Sequence, residues 1–255
     1  MSLQQSDPTD TGPYNSAAAV EDQLRQQLDE LAKLQYLLYA ESRRSLLIVL
    51  QGMDTAGKDG TIRHVMSGVS PLGVQVHAFK APNEEELAHD FLWRVHRQTP
   101  PRGYIGIFNR SHYEDVLVVR VHELVPRKVW KARYAQINHF EKMLVENDTI
   151  VLKFFLHISK DEQKERLQQR LKDPTRNWKL SLKDVEERGY WSAYRKAYEA
   201  ALSRCSTPWA PWHIIPADHK WHRNLVVAET IVKTLRDCHL EYPKPDVDLS
   251  KIVIE

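Results

Sequence analysis

An α/β fold, with a parallel sheet of five strands and helices on both faces, is what this sequence predicts, and three observations predict it. Short continuous apolar runs recur along the chain, longer stretches with helical spacing separate them, and the first run ends in glycine before a phosphate-type loop. Parallel neighbours need crossover connections, which are usually helical, so this alternation argues for a parallel sheet.

The elements follow in order. Residues 1–17 are polar, with Pro8, Gly12 and Pro13, and read as a disordered arm. Val20, Leu24, Leu28, Leu31, Leu34 and Leu38 recur at steps of three and four, which predicts a helix over 20–41 with one apolar stripe. SLLIVLQG (45–52) is a short continuous apolar run ending in glycine and fits a strand buried on both faces. Similar runs follow as VQVHAF (74–79), YIGIF (104–108), TIVLKFFLHI (149–158) and WHIIPA (212–217). Between the fourth and fifth runs, a helical start should break at Asp173-Pro174, and Ser181 followed by Asp184 suits the cap of a second helix. This stretch, about 160–190, reads as a mobile, cation-rich lid within one domain spanning 18–242, and Pro243 and Pro245 open a tail over 243–255.

With 255 residues and 42% hydrophobic content the chain has material for one core. Thirty-six lysines and arginines against 34 acids leave a net charge of +2, which excludes a basic nucleic-acid coat as the global character. Anion binding must therefore come from local clusters. Cys205 and Cys238 have no metal or redox spacing and read as free thiols of a reducing compartment. No apolar run has transmembrane length and no hydrophobic signal region opens the chain, so the expectation is a soluble, cytoplasmic protein without a membrane partner.

The chemistry concentrates in GMDTAGKDG, residues 52–60. Gly52, four residues, then Gly57 and Lys58, directly after a buried strand, is the spacing and context of a Walker A loop. Glycines let the backbone N–H groups of Thr55, Ala56, Gly57 and Gly60 converge on phosphate oxygens, the next helix adds its dipole, and Lys58 brings a mobile cation. Two acids intrude: Asp54, and Asp59 where such loops usually carry a hydroxyl. Carboxylates facing a polyanion need a cation or proton between them. Magnesium, with manganese as a substitute, takes oxygen ligands of this kind. Asp54 then holds metal or takes a proton from the attacking group, while Asp59 either holds metal or caps the helix. Lys80 follows the second strand, where α/β sheets place ligand sites, and Arg94 lies on a helical stretch where it either meets phosphate or packs.

The third strand ends in NRSHYEDVLVVRVH, with Asn109 where nucleotide-binding sheets often carry a metal-holding aspartate, and with Arg110 next. Together with GMDTAGKDGTI, FKAPNEEELAHDFLWRVH, RYAQINHFEKML and DPTRNWKLSLKDVEERGYW, this set resembles the type 2 polyphosphate kinases over most of residues 45–235. The resemblance implies a P-loop fold like that of thymidylate kinase and magnesium-dependent phosphoryl transfer between inorganic polyphosphate and nucleotides. It makes Asp54 and Lys58 functional Walker A residues, sets Asn109 and Arg110 at the Walker B-like strand end, and puts Lys80 and Arg94 in the second motif. Many members carry aspartate at the place of Asn109, which puts metal ligation there in doubt. The spelling around Glu114 looks most like the subgroup that phosphorylates both mono- and diphosphates, so AMP and ADP are the expected acceptors and ADP and ATP the products. The family also suggests a homodimer or homotetramer.

Transfer of this kind rests on positioning and charge neutralisation, which gives the remaining cations a use. Arg166, Arg170, Arg176 and Lys179 in the lid either close over the phosphates or, for the first two, pair with Glu162 and Glu165 on a solvated helix. Arg120, Arg127, Lys128 and Arg133 form either a polyphosphate track or solvated helix positions. No two histidines have zinc spacing, and Trp191, Trp209, Trp212 and Trp221 read as core, with one of them open to stacking on an acceptor base. Two rival readings use the same residues: a monophosphate kinase fed by ATP, and a polyanion-binding module without turnover.

Overall fold

The structure is a computed structural model and describes residues 3–252 and 254. Its centre is a five-stranded parallel sheet in the order β2-β3-β1-β4-β5, built from Ser45–Gly52 (β1), Val74–Ala78 (β2), Ile105–Asn109 (β3), Thr149–His157 (β4) and Trp212–Pro216 (β5). Every residue of β1 is buried, as its apolar centre, Leu46 to Leu50, requires of a strand covered on both faces. The five strands match the five apolar runs to within a residue or two at each end.

Helices flank the sheet. Glu21–Glu41 (α1), Lys58–Val65 (α2) and Lys220–Asp237 (α10) pack on one another, and α10 reaches β4 and β5. A second group covers the opposite face: Val118–Val121 (α5), Arg127–Glu146 (α6) and Trp191–Arg204 (α9), joined by a 3-10 turn at His112–Val116. Two short helices, Glu84–Leu87 (α3) and Trp93–His96 (α4), follow β2, and Lys160–Lys172 (α7) and Leu182–Glu187 (α8) follow β4. Helix α7 stops at Asp173 before Pro174, and the Ser181 hydroxyl caps α8 by accepting from the Lys183 N–H, as expected from these residue types.

Two expectations change. The described part of 1–17 is not a disordered arm: Leu3 is buried, the Ser6 carbonyl accepts from His157 Nε2 at 3.1 Å, and the Pro8 carbonyl accepts from the Asp218 N–H at 3.1 Å. Its polar residues serve local turns, such as Asp7 accepting from the Thr9 N–H and hydroxyl at 2.8 and 2.7 Å, and so do not oppose order. Of the four tryptophans assigned to the core, only Trp212 is buried; Trp191 and Trp221 are half-buried and Trp209 is exposed, because an indole is too large to be wholly covered at the rim of a sheet. Both cysteines are free thiols.

Candidate active site

The site forms at the carboxyl ends of the strands. The loop after β1 begins at Gly52, whose place only glycine fills: a Cβ there would lie 2.7 Å from the Leu156 carbonyl oxygen of neighbouring β4. At Gly57 the backbone adopts φ +105°, the left-handed region that glycine favours, and leads straight into α2. Lys58 folds back over the loop and donates to the carbonyls of Gly52 at 2.8 Å and Met53 at 3.3 Å. Burial, with Arg110 adding repulsion, brings its ammonium down to about 8.

Opposite the loop, the chain leaving β3 turns at Arg110, which holds φ +60°. A side-chain-bearing residue in that region is strained by about 1–3 kcal/mol and persists because its surroundings fix it. Arg110 donates to Asp54 Oδ1 at 2.8 Å, so the acid in the loop is neutralised by the residue after the third strand. Burial works against the Arg110 charge, but Glu114 and Asp54 more than offset it and raise its pKa. Glu114 is raised by burial, with Arg110 and Lys58 pulling the other way. Gly52, Met53, Asp54, Arg110 and Glu114 line one side of a pocket, and Gln163, Arg188, Trp191, Tyr194 and Tyr198 from the lid and α9 line the other.

Asp59 stands elsewhere. It is exposed, accepts from Asn109 Nδ2 at 2.7 Å and Lys179 Nζ at 3.3 Å, and these bonds lower its pKa against burial. It does not cap α2, whose N-cap is Gly57; it lies in the first turn, where its charge favours the helix dipole. Asn109 thus holds Asp59 and not the pocket.

The lid cations separate into two kinds. Arg166 is buried and all five of its N–H groups are engaged: Glu162 Oε1 at 2.7 Å, the carbonyls of Thr55 and Ala56 at 2.9 and 3.1 Å, and those of Ala217 and Asp218 at 2.7 and 2.8 Å. It has no donor left for a phosphate, and its expected place over the substrate is corrected to a brace behind the loop. Arg170 faces Asp184 at 3.7 Å, Arg176 faces Asp173 at 3.1 Å, and Lys179 reaches Asp59, all with substantial exposure. Arg94 is likewise a brace: it is buried and donates to the Lys80 carbonyl at 2.8 Å, while the Lys80 side chain is exposed. Arg120 stacks over Trp130 and donates to the Tyr134 hydroxyl at 3.2 Å. Arg133 donates to the Asp115 carboxylate at 2.9 Å and lies over Phe91. Arg127 and Lys128 are exposed at the start of α6.

Three contributors escaped the sequence reading. Arg223 is buried at the start of α10 and donates to the Ala56 carbonyl at 3.2 Å, with burial and then Arg166 lowering it to about 10. Gln163 donates to the Asp54 carbonyl at 3.0 Å, and Arg188 donates to Gln163 Oε1 at 2.9 Å. The only signal for Arg223 was its place just after the fifth strand, where such sheets gather ligand sites.

Among the described residues no three His, Cys, Asp or Glu side chains converge as a closed metal site. Magnesium does not require one, since it binds through one or two carboxylates together with substrate phosphates and water. Asp54 fits that demand as a half-buried carboxylate on the pocket wall; Asp59, paired away from the pocket, fits it less well.

Comparison with known proteins gives this geometry a context. The Polyphosphate kinase 2 family model matches residues 14–243. The chain is 52% identical over 254 residues to an AMP/ADP-polyphosphate phosphotransferase of Meiothermus ruber, covering 99% of this chain and 95% of the relative. It is 47% identical over 250 residues to an ADP-polyphosphate phosphotransferase of Rhodopseudomonas palustris, covering 93% and 86%. The crystal structure of polyphosphate kinase 2 from Arthrobacter aurescens superposes with a TM-score of 0.95 at 45% identity, over 98% of this chain and 90% of that one. Matched over most of its length by the family model and by these relatives, the chain belongs to the polyphosphate kinase 2 family.

Proposed function

We propose that the protein transfers the terminal phosphoryl group of inorganic polyphosphate to AMP and ADP, giving ADP and ATP, and catalyses the reverse reactions. The observation that carries this reading is the near full-length similarity to an AMP/ADP-polyphosphate phosphotransferase, joined to a pocket walled by Asp54 and Arg110, with Lys58 folded over the loop beside it. An acceptor phosphate oxygen bonds to the terminal phosphorus as the bond to the bridging oxygen breaks, and its electron pair leaves with the shortened chain. Lys58 and Arg110 stabilise the charge on the transferring group, and the lid cations Arg170, Arg176 and Lys179 hold neighbouring phosphates and exclude water.

Magnesium, when bound, supplies charge neutralisation on the phosphate oxygens. Asp54, which now accepts from Arg110, is the residue that would hold it. Asp59 and Asn109 take a supporting part, tied to Lys179 of the lid. The free thiols of Cys205 and Cys238 support a cytoplasmic site of action.

The test is direct. AMP or ADP is incubated with magnesium and polyphosphate, without ATP, and ADP and ATP are followed. Formation of both products is the expected result, and absence of any product sinks the reading. Transfer from ATP to a monophosphate alone points to an ordinary monophosphate kinase, and polyphosphate binding without turnover points to a polyanion-binding module.

A further inference from the structure

Behind the pocket lies a buried charged cluster that the phosphoryl transfer itself does not use. Lys153 in β4 and Glu141 in α6 are both fully buried, and Lys153 Nζ donates to Glu141 Oε2 at 2.5 Å. The other two ammonium protons reach the Tyr113 hydroxyl at 2.9 Å and the Cys205 carbonyl at 2.6 Å. Tyr113 in turn donates its hydroxyl proton to Glu141 Oε1 at 2.8 Å, and His112 Nε2 approaches the same oxygen at 3.2 Å. Neither Lys153 nor Glu141 lines the pocket.

Tyr113 and His112 sit in the segment that carries the pocket's own residues. Arg110 is three positions before Tyr113, and Glu114 is the next residue after it. On the pocket side this segment is held by the Arg110 bond to Asp54 and by Gln51 Nε2 donating to the Ser111 hydroxyl at 3.1 Å. On the interior side it is held by the Tyr113 hydroxyl, wedged between the two buried charges. Its backbone is strained at Arg110, so it needs holding from both sides. A buried lysine and glutamate are a poor route to stability, because apolar residues of similar volume usually serve as well or better. What charges do provide is direction, since a desolvated pair tolerates a partner hydroxyl at one point only.

We propose that the Lys153–Glu141 pair is a positioning unit that acts through the Tyr113 hydroxyl to fix Arg110 and Glu114 against the phosphate loop. Tyr113→Phe removes the hydroxyl and keeps the ring. This inference rests on the polyphosphate transfer proposed above, and wild-type turnover measured alongside tests that reading separately.

The expected result for Tyr113→Phe, in the full chain, is a fall in kcat of roughly tenfold to a hundredfold, as for misplacement of reacting groups by a fraction of an ångström to an ångström. KM for polyphosphate should stay within about twofold, because the lid cations remain in place. The double variant Glu141→Leu/Lys153→Met should keep its Tm yet show the same loss of kcat, and adding Tyr113→Phe to it should cost nothing further. Wild-type kcat in Tyr113→Phe overturns the proposal. So does a double variant that regains both Tm and kcat, or a loss in Tyr113→Phe that merely follows a reduced folded fraction. If the double variant fails to fold, the split between kcat and KM in Tyr113→Phe decides the matter alone.

Discussion

Two sets of cations flank the phosphate loop, and they differ in everything but charge. Behind the loop, Arg166 and Arg223 are buried and donate to backbone carbonyls, including that of Ala56, which both of them reach. Across its mouth, Arg170, Arg176 and Lys179 are partly or largely exposed, and each faces a single carboxylate. The buried pair spends its hydrogen bonds on the protein and so fixes the loop's shape. The exposed set holds its bonds loosely, at surface strength, and so remains able to exchange them for a phosphate chain. A guanidinium with five committed donors is scaffold, and one with a lone surface partner is available for substrate.

The sharpest way to break this contrast is Arg166→Leu. It removes the arginine donor from the Thr55, Ala217 and Asp218 carbonyls, takes one of two donors from Ala56 and leaves Glu162 behind, so a stability loss of about 3–5 kcal/mol is expected, read as a Tm lowered by roughly 10 °C. Unchanged Tm would mean that the arginine braces nothing. Lys58→Ala should show the reverse pattern, with kcat down by about 10²–10³-fold and Tm within a few degrees of the parent; wild-type turnover would remove Lys58 from the mechanism.

A pH profile sharpens the comparison next. Lys58 is held down to about 8, below its ordinary value, so the free enzyme loses this charge as pH rises through about 8. kcat/KM for polyphosphate should therefore fall on an alkaline limb, approaching tenfold per pH unit, and Lys58→Arg should shift that limb beyond the accessible range. For folding the sign is opposite: the unfolded chain keeps the proton up to its ordinary pKa, so this group's contribution to stability increases between about 8 and 10.5. A limb unmoved by Lys58→Arg assigns it to another group. The smallest effect belongs to the lid. Lys179→Ala should raise KM for polyphosphate by only about threefold to tenfold, with unchanged Tm, and the difference should shrink at high salt. A Tm drop comparable to that of Arg166→Leu would erase the distinction between the two sets.

Much of this molecule was legible before any fold was known. SLLIVLQG and its four companions became the five strands, because mostly apolar runs of strand length suit a covered parallel sheet, fully buried at the central β1 and partly open at the edge strand β2. Asp173-Pro174 ended α7 and Ser181 capped α8, both for reasons local to a few residues. Asp54, Arg110 and Glu114 do line one pocket, and Lys58, buried under the loop beside it, is close enough for its charge to act on all three. The reading failed where it ranked arginines by neighbourhood. Arg166 and Arg170 lie one helical turn apart and looked alike, yet one is sealed behind the loop and the other faces the lid's Asp184. Asp59 went to Asn109 and Lys179, and the helix was left with Gly57 as its cap.

The sequence by itself determined the strands, the helix ends, the phosphate loop and the acid within it, because apolar periodicity, turn chemistry and glycine's conformational range act over a few residues. Only the tertiary structure decided which cations are free to meet substrate. That depends on which carbonyls and carboxylates the packed elements bring within about 3 Å of each guanidinium, and those partners lie up to 167 positions away in the chain, as Ala56 does from Arg223.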